Sequence, residues 1–302
     1  MKKLAVLIAA LCVVFVSFSQ NMSAKLDTIL STYAHLHKFN GSVLVAKKAT
    51  ILLNKGYGYR NAAGKVVNDE NTIFQLGSIT KQFTAAIILK LQEEKKLSVQ
   101  DKLSKYFAAY PKGDSITIEQ LLTHTSGIYN YTQNGDFMSK EVTNPANREK
   151  IMALFKDKPL DFSPGTGWNY SNSGYSLLGY IIEIVTRKPY EEVVRKYIFT
   201  PLQMTHSGFD FTHLKSTEKA TGYFKLDNLN AAPAPTVDSS VSFSAGAIYS
   251  TTGDLYRWHN ALLSNTMHTS SSGTRAMLVI KPCIPPPCPT LLLPSRLSMS
   301  QP

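Results

Sequence analysis

The sequence predicts a mixed α/β fold of the α+β type, because an early pair of strands is followed by a long helical region. Residues Ser42 to Ala46 and Thr50 to Tyr59 form two β-prone runs joined by the short turn Lys47-Lys48-Ala49. Further along the chain, apolar residues recur at the three- and four-residue spacing of helices. The 302 residues can bury a large core, either as one domain or as two lobes around a cleft.

The helices are predicted from this spacing in chain order. An N-terminal helix follows Ser23, where Leu26, Ile29, Leu30 and Tyr33 recur at helical intervals. The apolar residues between Ser78 and Glu94 predict a buried helix. The same spacing predicts four further helices, at Ile118–His124, Tyr175–Thr186, Tyr190–Tyr197 and Asp254–Leu263. Thr251 and Thr252 are natural caps for the last of these.

Composition argues against two kinds of protein. The formal net charge is +11, but the lysines are scattered rather than forming a stripe with aromatic residues, so a nucleic-acid partner is not expected. The chain has no cysteine between Cys12 and Cys283, so disulfide bonds do not hold the body of the fold together. The spacing of Cys283 and Cys288 around three prolines matches no metal site, and no cofactor is expected.

The first residues have the pattern of a secretory signal peptide. Met1-Lys2-Lys3 gives a basic start, an apolar run extends from Leu4 to Val16, and Ser17 and Ser19 suit cleavage after residue 19. The alternative is an uncleaved membrane anchor, for which the run is rather short. Residues 1–19 are therefore predicted to direct export to the periplasm or the extracellular space. Contact with a membrane is expected only if the signal stays uncleaved.

The sequence Ser78-Ile79-Thr80-Lys81 begins the buried helix and places a hydroxyl and an amine on one helix face. A serine hydroxyl needs a nearby base to become a nucleophile at neutral pH. A lysine that is desolvated against packed helices can lose its proton and supply that base. Ser78 would also lie in the first turn, where free N–H groups and the helix dipole favour negative charge. The alternative is a capping Ser78 with a solvated Lys81.

A second motif, Tyr170-Ser171-Asn172, lies in a stretch from Pro164 to Tyr175 that contains paired glycines and a proline. Such a stretch predicts a tight, irregular loop. If the motif is extended, the side chains of Tyr170 and Asn172 lie on the same side of the chain. The alternative is an ordinary turn with a packed tyrosine.

The two motifs and several other stretches carry a resemblance to a known family. The other stretches occur in the order that the family shows: Gly41–Ala46, Gly56–Asn61, Phe74–Ser78, Leu121–Gly127, Pro201–Met204 and Ser244–Leu255. From about residue 24 to about residue 265, the chain resembles the serine β-lactamase-like and penicillin-binding protein family. The similarity is to class C β-lactamases, D-alanyl-D-alanine carboxypeptidases and related esterases in particular.

The resemblance implies an antiparallel sheet flanked by helices, together with an all-helical lobe. It implies that Ser78 attacks the substrate carbonyl to give an acyl-enzyme and that Lys81 and Tyr170 handle the proton. Tyr170 could act as a base only with a cation close to it, and Lys81 is the candidate. Asn172 would either hydrogen-bond the substrate amide or hold Lys81 in place, and the backbone N–H of Ser78 would donate to the oxyanion. The implied substrates are D-Ala-D-Ala peptides, β-lactams or simple esters, without a metal.

Two histidines offer alternatives to these assignments. His206-Ser207-Gly208 has the spelling of a His-x-Gly family motif, but it directly follows Pro201–Met204, where the family has a turn rather than a sheet edge. His124 is interpreted as part of a helix end with a glycine stop at Gly127. No Gly-x-Ser-x-Gly elbow surrounds any serine of the chain, so a Ser/His/Asp triad is not predicted.

The C-terminal sequence departs from the family, because the expected Lys-Thr-Gly or His-x-Gly edge strand does not follow. Seven of the last twenty-one residues are proline, and no residue after Asp254 is acidic. Proline removes backbone donors, so this segment cannot supply central strands. The interpretation is that a frameshift or truncation replaced the C-terminal strands, with a natural proline-rich extension as the alternative.

The sequence therefore divides into a signal peptide at 1–19, a serine hydrolase domain with missing C-terminal strands at 20–265, and an aberrant Ser/Pro-rich tail at 266–302. Two kinds of function compete. One is an acyl-transfer hydrolase, and the other is an impaired or non-catalytic relative that keeps a penicillin-recognition scaffold. Missing core strands can remove more than the ~5–15 kcal/mol by which a domain is stable, so poor folding or slow turnover is expected.

Overall fold

The computed structural model describes residues 22–227 and 230–264, which form an α/β fold of helices and small antiparallel sheets. The predicted signal peptide at 1–19 lies outside these residues, as do the predicted tail at 266–302 and its proposed frameshift. All three stay predictions.

The predicted strand pair is present. Strand β1 (Gly41–Lys47) runs antiparallel to β2 (Thr50–Tyr57), with Gly41 opposite Tyr57. The turn residues Lys48 and Ala49 both have positive φ, of 48° and 64°, as a two-residue hairpin requires. The second strand ends earlier than predicted because Gly58 adopts a φ of +68°, which breaks the extended chain.

Three shorter strand pairs accompany this hairpin. Strands β3 (Tyr59–Asn61) and β4 (Val66–Val67) pair with each other, β5 (Phe74–Gln75) pairs with β8 (Tyr249–Ser250), and β6 (Tyr223–Leu226) pairs with β7 (Ala231–Pro233). Within the described part of the chain, every sheet has two strands. The β5–β8 pair positions the predicted Ser78 helix, because β5 immediately precedes that helix in the chain.

The predicted helices are all present, with shifts at their ends. The helices of the described residues are α1 (22–35), α2 (Thr80–Glu93), α3 (Ile118–Leu122), α4 (Gly135–Lys140), α5 (Arg148–Ala153), α6 (Asn172–Thr186), α7 (Tyr190–Val194), α8 (Ser239–Gly246) and α9 (Thr252–Leu263). A 3₁₀ turn, Gly77–Ile79, leads into α2, and a π-helical turn continues α7 through Phe199. Thr251 caps α9 by accepting the N–H of Asp254 at 3.2 Å, as predicted.

The core centres on α2 and α6. Phe83, Ile87 and Leu91 of α2 are fully buried, as are Leu177 and Ile181 of α6. These positions are three or four residues apart, so each helix presents one continuous apolar stripe to the other elements. None of the helices in the described ranges is long and apolar enough to cross a lipid bilayer.

Helix α8 packs unusually close to α6. A methyl group at Gly179 of α6 would overlap the side chains of Phe243 and Ser244, so only glycine fits there. Phe243 itself has a φ of 37° inside α8, a strained conformation for a residue with a side chain. The Thr84 hydroxyl of α2 donates to the Ser244 carbonyl at 2.6 Å, which ties α8 to the Ser78 helix as well.

Candidate active site

Ser78 lies in the 3₁₀ turn that opens into α2. Gly77 has a φ of +55°, a left-handed conformation that turns the chain from β5 into the helix. The N–H of Leu76 donates to the carbonyl of Ile248 at 2.8 Å and fixes the start of this turn. Ser78 thus has its backbone N–H at the start of a helical segment, where such groups lack intrahelical acceptors.

The Lys81 ammonium is buried and lies against three oxygen atoms. Its Nζ is 3.1 Å from Ser78 Oγ, 2.8 Å from Asn172 Oδ1 and 2.9 Å from the carbonyl of Ala245. Only 6% of the residue is exposed. Burial lowers the pKa of Lys81 to about 7, because the charged form loses its hydration.

The acceptors determine where a neutral Lys81 would direct its lone pair. The amine has two N–H donors after it loses a proton, and the Asn172 and Ala245 oxygens can only accept. Those two oxygens therefore take both N–H groups. The lone pair is left facing Ser78, whose hydroxyl can donate to it.

Tyr170 makes the second side-chain contact with Ser78 Oγ. Its hydroxyl donates to Ser78 Oγ at 2.5 Å, and its ring centroid is 4.8 Å from Lys81 Nζ. Burial raises the pKa of Tyr170, so the phenol keeps its proton at neutral pH. The sequence makes Lys81 the candidate cation that would allow Tyr170 to act as a base. The cation is close, but its own lowered pKa means that it carries less charge than an exposed lysine.

Asn172 holds Lys81 in this structure. Its Oδ1 accepts from Lys81, while its Nδ2 donates to Thr132 Oγ1 at 3.2 Å. Its backbone N–H donates to Asn130 Oδ1 at 3.1 Å. Of the two roles left open by the sequence, this geometry corresponds to positioning of Lys81.

The segment of Tyr170 and Asn172 is not a simple extended stretch, as the sequence had suggested. Ser171 caps α6 by accepting the N–H of Gly174 at 3.1 Å, so Asn172 is already the first residue of the helix. The helix therefore begins three residues before the predicted Tyr175. Both side chains still face Ser78 and Lys81.

His124, which the sequence predicts only as part of a helix end, contacts the residues of the site. Helix α3 does end nearby, at Leu122, and His124 has a left-handed φ of 62°. Its ring lies 4.7 Å from the Tyr170 ring, and its Nδ1 accepts the N–H of Ser171 at 3.1 Å. Burial lowers the pKa of His124 to about 4, so it is a neutral acceptor. The sequence around His124 does not indicate this contact, because His124 and Ser171 are 47 positions apart in the chain.

His206 makes other contacts. Its ring lies 3.2 Å from Thr205 Oγ1, and its backbone N–H donates to Asp254 at 2.8 Å. Gly208 pairs with Tyr249 in an isolated antiparallel bridge, so the segment is more than the turn expected from the sequence. Asp254 is buried in the first turn of α9, and its carboxylate accepts from Ser207, which fixes this loop against that helix.

No group of three or more His, Cys, Asp or Glu residues in the described parts of the chain could hold a metal ion. The convergent side chains of the site are instead one serine, one lysine, one tyrosine and one asparagine. Such a set suits nucleophilic attack assisted by proton transfer.

Helices packed with small antiparallel sheets form the fold of serine β-lactamases and penicillin-binding proteins. Residues 26–281 match the family model named Beta-lactamase. The chain belongs to this family, and both the resemblance found in the sequence and the predicted fold class are confirmed.

Individual relatives agree with this placement. A Bacillus subtilis (strain 168) protein named as a penicillin-binding protein, PbpX, is 34% identical over 243 residues, which are 80% of this chain and 60% of that protein. The chain thus spans about three fifths of the length of this relative.

Two crystal structures are similar as well. That of a penicillin binding protein from Bacillus halodurans has a TM-score of 0.72 and 29% identity, over 82% of this chain and 76% of that one. That of a D-stereospecific amidohydrolase from Streptomyces sp. has a TM-score of 0.62 and 31% identity, over 67% of this chain and 64% of that one.

Proposed function

We propose that the chain is a serine hydrolase that forms an acyl-enzyme on Ser78 with D-Ala-D-Ala peptides, β-lactams or esters. The observation that carries this proposal is the position of Ser78 Oγ, which lies 3.1 Å from Lys81 Nζ and 2.5 Å from the Tyr170 hydroxyl. A nucleophile needs a group that takes its proton and a group that returns one to the leaving atom. Lys81 and Tyr170 fit these two tasks.

The proposed reaction begins with neutral Lys81. Its lone pair accepts the Ser78 proton while Ser78 Oγ forms a bond to the substrate carbonyl carbon, whose π electrons move to the oxygen. The Ser78 N–H stabilises that oxyanion. When the carbonyl re-forms, the bond to the leaving nitrogen or oxygen breaks, and the leaving atom takes a proton from Tyr170. Lys81 returns its proton to Tyr170, and a water molecule then hydrolyses the acyl-enzyme by the reverse use of the same groups.

The substrate proposal draws on the named relatives. One of the similar crystal structures is a penicillin binding protein and another is a D-stereospecific amidohydrolase. Both names refer to amide carbonyls, in a β-lactam ring or next to a D-configured centre. The proposal applies that chemistry to this chain, and the activity of the whole protein remains part of the proposal because the curated relative is longer.

A fluorescent penicillin tests the nucleophile. We expect a stable label on Ser78, located by mass spectrometry of the digested protein, and no label in Ser78→Ala. Ser31→Ala is the matched control, since this exposed serine of α1 lies outside the site and its loss should leave labelling unchanged. A label that persists in Ser78→Ala would reject the assignment.

Release of the label separates two proposals. Loss of the acyl group over time supports a hydrolase. A label that forms on Ser78 but is never released supports the alternative, a penicillin-recognition protein that does not turn over.

We also propose that the protein is exported, on the basis of the basic and apolar residues at 1–16. Expression with a C-terminal tag, followed by N-terminal sequencing of the protein outside the cytoplasm, tests this. A mature chain that begins near Gln20 is expected, and a full-length protein retained in the cytoplasm would contradict the proposal.

A further inference from the structure

Asn130 lies between α3 and α4, immediately before the 3₁₀ turn Tyr131–Gln133. The residue is buried, with 8% of it exposed. Its Oδ1 accepts the backbone N–H of Thr132 at 3.4 Å, and from Asn172 it accepts both the backbone N–H at 3.1 Å and Nδ2 at 3.4 Å. One buried oxygen thus joins this segment to the residue that contacts Lys81.

The two backbone donors determine which way the Asn130 amide lies. A backbone N–H can only donate, so the atom that faces both N–H groups is the oxygen of the amide. The opposite orientation would place the NH2 group against two other donors and leave two N–H groups without an acceptor, which is unfavourable for buried groups. The backbone therefore fixes Asn130 Oδ1 as an acceptor.

Asn130 Oδ1 in turn determines which way the Asn172 amide lies. An oxygen that can only accept must face Asn172 Nδ2, which leaves Asn172 Oδ1 for Lys81 at 2.8 Å. Thr132 Oγ1 also accepts from that Nδ2, at 3.2 Å, but a hydroxyl can donate or accept and would tolerate either orientation. Asn130 is therefore the contact that excludes the reversed Asn172 amide.

The orientation of this amide matters most when Lys81 is neutral. The ammonium form has no lone pair and would by itself keep Asn172 Oδ1 in place. A neutral amine can accept a hydrogen bond, so a reversed Asn172 amide would donate to its lone pair. That bond would compete with Ser78, whose Oγ lies 3.1 Å from Lys81 Nζ.

We propose that Asn130 is a positioning residue, which holds the Asn172 amide in the orientation that leaves the lone pair of neutral Lys81 facing Ser78. The inference rests on the proposed function and adds to it a residue outside the reacting groups. It predicts opposite effects for two substitutions of similar size at position 130.

Asn130→Asp keeps an acceptor for all three N–H groups and adds a negative charge. The titratable side chains that face Lys81 in the described structure are Tyr175 of α6, Tyr170 and His124, all neutral at pH 7, and α8 contributes a backbone carbonyl. The new carboxylate favours the ammonium, so we expect the pKa of Lys81 to rise by about one pH unit. The kcat/KM for p-nitrophenyl butyrate should fall about fivefold at pH 7 and recover to within about twofold at pH 9.

Asn130→Leu has a similar size but provides no acceptor. The Asn172 amide can then reverse, and the Lys81 ammonium loses one of its oxygen contacts, so the pKa of Lys81 should fall. We expect kcat to fall at least about tenfold with little change in KM, because the lone pair no longer faces Ser78. This loss should persist at pH 9, where the Lys81 amine is neutral.

The pKa of Lys81 can be measured without catalysis, from the ¹³C chemical shift of its Cε in lysine-labelled protein between pH 5 and 10. The signal is assigned by its absence in Lys81→Met. Asn147→Asp is the matched control, because Asn147 also accepts a backbone N–H, that of Lys150 at 2.9 Å, but lies exposed at the start of α5. This control should leave both the pKa of Lys81 and kcat unchanged.

Opposite shifts of the Lys81 pKa in the two variants, with activity at pH 9 retained only in Asn130→Asp, support the proposal. An unchanged pKa in both variants, or equal losses of kcat at pH 9, would reject it. If the unaltered protein hydrolyses no ester and penicillin does not label Ser78, the proposed function fails, while the titration of Lys81 still decides whether Asn130 controls its surroundings. If Asn130→Leu does not fold by circular dichroism, Asn130→Asp still decides.

Discussion

Lys81 lies where three oxygen atoms converge, and its pKa determines when the proposed base is available. A lysine in water is protonated up to a pH of about 10.4. Burial among α2, α6 and α8 lowers the pKa of Lys81 to about 7. The groups around it add no negative charge to offset this, because Tyr170 and Tyr175 face it as neutral phenols and His124 faces it as a neutral imidazole.

The first prediction concerns pH. Because the active form in the proposed mechanism is the neutral amine, kcat/KM should fall about tenfold per pH unit below pH 7 and level off above it. The raised pKa of Tyr170 keeps its phenol protonated, so no loss is expected up to pH 9. Measurement of kcat/KM from pH 5 to 9 with p-nitrophenyl butyrate, which does not titrate, gives the profile. A flat profile over this range would exclude Lys81 as the base.

His124 contacts the segment that carries Tyr170 and Asn172. It accepts the N–H of Ser171, the residue between Tyr170 and Asn172, and its ring lies against Tyr170. It is therefore a positioning residue for both side chains.

The second prediction replaces this acceptor. His124→Phe keeps a ring beside Tyr170 but leaves the Ser171 N–H without its partner, which costs about 1–3 kcal/mol. We expect kcat to fall roughly tenfold with little change in KM, since a loss of about 1.4 kcal/mol in the transition state corresponds to that factor. His124→Asn retains an acceptor and tolerates the left-handed backbone, so it should recover part of the loss. Equal kcat values for the two variants, or a change confined to the melting temperature, would assign His124 a purely structural role.

The sequence could identify Ser78, Lys81, Tyr170 and Asn172 because they belong to two short motifs. Their roles stay predictions, but their proximity is a property of the structure. The direction in which the pKa of Tyr170 shifts could not be predicted, because it depends on how deeply neighbouring helices bury the phenol. The contact of Lys81 with the Ala245 carbonyl could not be predicted either, because every residue has a backbone oxygen and the sequence does not indicate which one lies near Lys81.

At the scale of elements, the contact between α6 and α8 connects the packing of the core to the site. Helix α6 begins with Asn172, and the Ala245 carbonyl lies in the last turn of α8, so the two helices supply two of the three acceptors around Lys81. Their close approach depends on Gly179, which leaves room for the side chains of Phe243 and Ser244.

The third prediction tests this contact. In Gly179→Ala, the added methyl overlaps Phe243 and Ser244, and overpacking of this kind costs about 1–3 kcal/mol. The displaced α8 should also weaken the Ala245 contact with Lys81, so kcat/KM falls together with the free energy of unfolding. Both are measured on the purified variant, the latter by urea denaturation.

Gly135→Ala provides the control for this variant. Gly135 begins α4, has no atom near its missing Cβ and lies on the surface. Alanine there should be neutral or slightly stabilising, since it has the higher helix propensity. Equal stability of the two alanine variants would contradict the close packing of α6 and α8.

Element length explains only part of which helices the sequence revealed, because α3 and α7 were predicted although they have five residues each. Helices α2, α6 and α9 have 14, 15 and 12 residues, long enough for a clear apolar period. The missed helices α4, α5 and α8 have only six to eight residues. Their evidence is a single capping side chain each, Asn134, Asn147 and Asp238, and such residues are equally common in turns.

Over the whole molecule, stability is expected to be uneven. Helix α2 has nine buried residues, whereas β1 and β2 are mostly half-exposed and form a two-stranded sheet within the described chain. Contacts to α1 and α9 support this hairpin, for example the Asp27–Lys55 ion pair at 2.8 Å, but such exposed pairs contribute less than about 1 kcal/mol.

The fourth prediction follows from this difference. Amide hydrogens of α2 and α6 should exchange only through global unfolding, while those of β1 and β2 exchange through partial opening, at least about tenfold faster. Native-state hydrogen exchange with mass spectrometry resolves both regions. Equal protection of the hairpin and the central helices would show that the fold opens as one unit.

The general fold could be predicted because an early hairpin followed by long amphipathic helices is a local pattern. The pairing of β5 with β8 could not, because it joins residues about 175 positions apart that form only two-residue strands. That pair sets the entrance to α2, so the part of the fold closest to the chemistry was also the part least visible in the sequence.

The residues that line the small cavity beside Ser78 can change in sequence more freely than the residues that contact Ser78 Oγ. Met138 of α4 and Val142 after it line a small cavity beside Ser78, and the stretch that carries them supplies none of the proposed proton-transferring side chains. Exchanges there can alter the shape of the cavity while Ser78, Lys81 and Tyr170 keep their places. Divergence toward new substrates, in nature or by directed evolution, therefore has a route that leaves the reaction itself intact.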